Sequence, residues 1–109
     1  MAKIATAVFS GKSGNKYNFD VYPFGQAFNA VGAIYIFTTR TVANGAGSHR
    51  FAYIGQTGDL SERFDDHHKA KDIRAQYPNC ICIHVENDED LRCAIESDLI
   101  ACNKTPCNG

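Results

Sequence analysis

"AIYIFTTRTVANGAGSHRFAYIGQT" occupies residues 33–57 and sets two apolar, β-prone runs on either side of a small polar segment. "AIYIFTTR" (33–40) is apolar enough to be a central strand, and "RFAYIGQT" (50–57) reads as its returning partner. Between them "TVANGAGSH" (41–49), with two glycines and an asparagine, reads as a flexible connection. The stretch is therefore expected to form a β-hairpin with a long loop. In such a hairpin Tyr35 and Tyr53 can be cross-strand neighbours whose side chains share a face. Gly55, two residues on, would let a ligand approach the backbone beside them.

Working outward, "IATAVFS" (4–10) and "YNFDVYP" (17–23) are β-rich runs joined by "GKSGNK" (11–16), the signature of a first hairpin. "FGQAFNAVG" (24–32) has no clear period and is compatible with one helical turn ending at Gly32. A helix is expected from near Asp59, which forms a capping box with Glu62, and it ends at Tyr77-Pro78. "NCICIHVEN" (79–87) alternates as a strand does. "DEDLRCAIESDLIACN" (88–103) reads as an amphipathic helix with Leu91, Ala94, Ile95, Leu99 and Cys102 on its apolar stripe. Pro106 forbids further helix in the tail "KTPCNG". The expected fold is α+β, a small, mainly antiparallel sheet flanked by helices. The 109 residues suit one domain, 1–109.

Composition narrows the function classes. A formal charge of −1 excludes a grip on nucleic acid through bulk basicity, so any phosphate contact needs a local cluster. Arg40, Arg50, Arg63, Lys69, Lys71 and Arg74 supply one around the second hairpin, whereas the acids gather in "ENDED" at 86–90. No segment approaches the roughly 18 apolar residues of a membrane span, and "MAKIATAVFSGKSG" lacks the apolar core of a signal peptide. The five cysteines, an odd number, fit reduced thiols in a cytoplasmic setting.

Three further side chains carry chemistry. Arg63 and His67 stand at i and i+4, neighbours on one helical face. The arginine presents a fork suited to phosphate oxygens, and the histidine can exchange a proton near neutral pH. Glu96 lies among Ile95, Leu99 and Ile100, and its carboxylate is a hard oxygen ligand for Mg²⁺.

Together these residues resemble the GIY-YIG nuclease family. Tyr35 in "AIY" and Tyr53 in "YIG" match the two motif tyrosines, with Ala33 in place of the first glycine. Arg63 matches the family's arginine, His67 the nearby His/Tyr position, Glu96 the metal-binding glutamate and Asn108 the closing asparagine. The resemblance spans residues 32–108, roughly 70% of the chain, and leaves residues 1–31 as an N-terminal hairpin extension. It implies phosphodiester hydrolysis with one Mg²⁺ or Mn²⁺ held by Glu96. Tyr35 or Tyr53, with or without His67, would deprotonate or orient the attacking water, and Arg63 would stabilise the phosphate. Arg40, Arg50, Lys71, Gly55 and Asn108 would contact substrate, DNA expected ahead of RNA, with Asn108 equally suited to position Glu96 or the tail by hydrogen bonding. With no separate targeting module in view, specificity would come from the connection at 41–49, the N-terminal hairpin, a second copy or a partner protein. Gln56 stands where some members carry lysine.

Two other readings compete. One is a non-catalytic adaptor that keeps the fold and binds nucleic acid or protein. The other is a zinc-stabilised domain built on Cys80, Cys82 and His84, which share a strand face, with Cys93 or Cys107. Buried thiols are the expected state of these cysteines.

Overall fold

The computed structural model describes residues 3–25, 27–61, 70–103, 105 and 108. The elements follow the order β1 (Ala5–Ser10), β2 (Lys16–Pro23), β3 (Ala33–Ala43), β4 (Ala46–Thr57), α1 (Ala70–Arg74), β5 (Cys80–Val85) and α2 (Glu89–Cys102). The strands make one antiparallel sheet in the order β1-β2-β5-β3-β4. The α+β class read from the sequence is the one observed.

The sheet is apolar on both faces. Tyr35, Phe37, Tyr53, Leu60, Ile73, Ile81 and Ile83 pack on one side. Ile34, Ile36, Ile54, Cys80, Cys82 and Leu99 pack on the other, where the first hairpin adds Phe19 and Val21. The N-terminal hairpin therefore extends the sheet through β5 and takes part in the core. Its turn is tied to α2 by Asp98, whose carboxylate accepts from Ser13 N–H (2.9 Å), Ser13 Oγ (2.7 Å) and the Tyr17 hydroxyl (2.7 Å). Those bonds hold the Asp98 carboxyl below its ordinary pKa.

Three expectations are corrected. The connection at 41–49 is no loose loop, because the hairpin ladder runs to Ala43↔Ala46. Asn44 and Gly45 have φ of 54° and 77°, the paired positive values of a type I′ turn. The twist of that turn matches the strands and carries the ladder through the small residues on either side, helped by a 3.0 Å bond between Thr41 and Ser48 hydroxyls. Residues 24–25 and 27–32 form no helical turn.

The apolar stripe of α2 is also rotated from the expected one. Leu91 is 51% exposed, whereas Arg92 is 5% exposed and lies on the buried side with Ile95 and Leu99. The i, i+3, i+7 spacing is kept, but an arginine takes the first position because polar partners await it there. Asp88 caps the helix by accepting from Leu91 N–H at 3.1 Å. Of the helix expected from Asp59, the described part is α1; the Asp59 carboxylate accepts from Ser61 N–H and Oγ. Glu62, Arg63, Phe64 and His67 lie outside the described residues.

Candidate active site

The register of β3 on β4 places Tyr35 opposite Gly55 and Tyr53 opposite Phe37. The two tyrosine rings lie side by side, centroids 6.1 Å apart and 30° from parallel. Gly55 makes the pairing possible. A Cβ at that position would sit 2.6 Å from Cζ and Oη of Tyr35 and 2.7 Å from Cε2 of Tyr53. The glycine of "YIG" thus makes room for the phenols themselves, a different use from the substrate approach expected of it.

Glu96 reaches this corner from α2. Its carboxylate is half-buried and accepts a hydrogen bond from the Gln56 backbone. Burial pushes the Glu96 pKa up, and the Gln56 bond offsets part of that. Burial likewise raises the Tyr53 pKa, the Glu96 charge raises it further, and a hydrogen bond from Tyr35 opposes both. Among these described groups the balance keeps Tyr53 protonated at neutral pH.

Arg92, one turn before Glu96, was not singled out in the sequence. Its Nε donates to Gln56 Oε1 at 2.9 Å, and its Nη1 donates to the carbonyls of Glu86 (3.1 Å) and Asn87 (3.0 Å). Gly32 packs directly against the guanidinium. Arg92 therefore joins the start of β3, the end of β4 and the end of β5, while Glu96 holds Gln56 by its backbone. The two α2 side chains fix one strand end from two sides.

The remaining candidates are placed apart. Arg50 lies on the tyrosine face but farther along the sheet, donating to Gln76 O (3.3 Å) and Thr39 Oγ1 (3.5 Å). Arg40 is on the opposite face, against Gly47. Lys71 is exposed on α1. Asn108 closes the outer edge of β4: its Oδ1 accepts from Ile54 N–H and its Nδ2 donates to Ile54 O, both at 2.8 Å. Both arms of that carboxamide are thereby engaged with backbone. Arg63 and His67 lie outside the described residues.

Of the cysteines, Cys80 and Cys82 are buried, and burial drives the Cys82 pKa to about 12. His84 instead donates from Nδ1 to Asn18 O at 2.7 Å and packs against Phe19. No group of three or more metal-ligating side chains occurs among the described residues. Comparison with protein-family models, curated proteins and solved structures gave no match to this chain.

Proposed function

We propose that this chain is a metal-dependent endonuclease of the GIY-YIG type that hydrolyses phosphodiester bonds, DNA ahead of RNA. The observation that carries the reading is the corner itself: two phenols side by side over Gly55, with the Glu96 carboxylate acting on Tyr53 from α2.

Glu96 suits a divalent ion of the Mg²⁺ kind, which needs only one or two protein carboxylates and completes its shell with water and phosphate oxygens. A half-buried carboxylate with a raised pKa gains most from a cation, because burial has already weakened its solvation. When bound, such an ion supplies Lewis-acid stabilisation of charge on the phosphate. Tyr53, holding its proton, orients the attacking water or a phosphate oxygen by hydrogen bonding, and Tyr35 orients Tyr53. Arg92 and Gln56 position the carboxylate. Arg63 and His67 keep the phosphate-binding and proton-transfer roles that the family resemblance implies.

The test is cleavage of duplex, single-stranded and branched DNA and of RNA with Mg²⁺ or Mn²⁺, by wild type and Glu96→Ala side by side. Cleavage by wild type and none by a folded Glu96→Ala protein is the expected result. Equal cleavage by both would sink the mechanism, and no cleavage of any substrate by wild type would favour the adaptor.

A further inference from the structure

The two edge strands of the sheet, β1 and β4, face each other. Phe9 of β1 touches Phe51 of β4 (centroids 4.8 Å apart) and His49 of β4 (5.4 Å), although the two strands are the outermost of the five. The sheet has therefore curled until its edges confront one another. A cleft of about 750 Å³ lies between them, lined by Ala5–Ser10 on one side and Gly47–Phe51 on the other, with Arg40 and Asn103. That volume is in the range of ligand-binding clefts, about 300–1,000 Å³.

Three observations say what the cleft takes. First, its walls are strand edges on which Ala5, Ala7, Gly47 and Ser48 let another backbone come close, while Phe9 meets His49 and Phe51 from one edge strand to the other. Second, strand parity fits one insertion. In an all-antiparallel order β1-β2-β5-β3-β4, the two edge strands run parallel to each other. One extended segment running against both would close the sheet into an all-antiparallel barrel, removing both edges. Third, the chain already uses this edge in that way. At Ile54 the Asn108 carboxamide, chemically a peptide group, accepts from the outward N–H and donates to the outward C=O. The same edge over Gly47–Phe51 faces the cleft.

Charge narrows the occupant further. Among the described residues no acidic side chain lines the cleft, and the Arg40 guanidinium lies within about 3.3 Å of where a Gly47 Cβ would be. Arg40 makes no ion pair among the described residues. Arg50, although it lines the cleft, spends its guanidinium on Gln76 and Thr39. Among the described residues Arg40 is thus the cation placed to meet a carboxylate in the cleft.

We propose that the β1–β4 cleft binds an extended peptide segment by adding it as a sixth strand, with one acidic side chain of that segment paired to Arg40. This is strand addition of the kind in which main-chain bonds give affinity and one pocket gives selectivity. It uses the N-terminal half of β4, on the other side of the bulge from Tyr53, and does not depend on the nuclease reading.

The experiment is a backbone-amide NMR titration of the full chain with acetyl-Thr-Val-Glu-Val-Thr-Val-amide. Shifts confined to residues 5–10 and 47–51 are expected. Replacing the peptide's Glu by Gln, or Arg40→Ala in the protein, should each weaken binding about two- to fivefold, the range of a solvent-exposed ion pair. N-methylation of alternate peptide amides should abolish binding, because it removes the ladder donors. The idea is overturned by an absence of shifts up to millimolar peptide, or by equal binding of the N-methylated peptide. It is also overturned if an oligothymidylate moves these residues and the peptide does not, which would make the cleft a nucleic-acid groove. Concentration-dependent self-association that moves the same residues without peptide would make it a contact between copies, and overturns it too.

Discussion

The two halves of β4 share one strand and differ in almost everything else. Its C-terminal half, from Tyr53 to Thr57, is buried or half-buried, and its outer edge is held by Asn108 at Ile54 and by Glu96 at Gln56. Its N-terminal half, from Ala46 to Phe51, runs beside the cleft, and Ala46, Gly47, Ser48 and Arg50 are exposed. A site that must hold two phenols and a carboxylate in register needs the first kind of strand. A surface that takes up another backbone needs the second kind. The bulge at Phe37/Thr38, where the register shifts, separates them.

The comparison breaks most easily at Gly55. Gly55→Ala places a methyl group against Tyr35 and Tyr53 and should cost about 1–3 kcal/mol in urea denaturation, as overpacking does. Cleavage should fall with it. A cost under about 0.5 kcal/mol, the range of surface substitutions, would mean that this half of β4 is not tightly packed.

Arg92→Met should cost about 1–3 kcal/mol by leaving Gln56 Oε1 and two loop carbonyls without their donor. Amide exchange should quicken at residues 56–58 and stay unchanged at 47–51. Exchange quickening equally in both stretches would erase the distinction between the halves.

Asn108→Ala removes two bonds to Ile54 and should cost about 1–2 kcal/mol. The sharper readout is the Ile54 amide, which should lose protection against exchange. Continued protection there would show that something other than Asn108 closes the edge.

The smallest effect is expected for Glu96→Gln. A carboxyl whose folded pKa is raised contributes stability below its unfolded pKa, about 4.3, and loses that contribution as pH rises through the folded value. The metal-free variant should therefore be slightly more stable than wild type at pH 7, by less than about 1 kcal/mol given its partial exposure, and the two should converge near pH 4. The opposite sign at pH 7 would mean that the charged form is the one the fold favours.

Much of this was legible in the chain. The order of elements follows from alternating and helical periods, and Tyr35, Tyr53 and Glu96 stood out as residue types suited to phosphodiester chemistry. The length of the second hairpin was hidden because Gly47 and Ser48 look like loop residues. Its signal was the Asn44-Gly45 pair, whose preference for positive φ is local and readable. Arg92 was hidden because a lone arginine in an amphipathic helix ordinarily faces solvent. Its partners are two backbone carbonyls and a glutamine from other strand ends, and backbone carbonyls carry no sequence signature.

The sequence by itself determined the order of strands and helices, since periodicity and turn chemistry act within a few residues of one another. It also put a glycine two places after Tyr53, the one residue without the Cβ that two packed phenols exclude. Only the tertiary structure decided that β2 joins β5, that Arg92 is buried and Leu91 exposed, and that Asn108 serves the edge of β4. Those outcomes depend on how far the sheet curls and which backbone groups it leaves unpaired. Both are set by contacts between residues as much as 93 positions apart, beyond the reach of any local pattern.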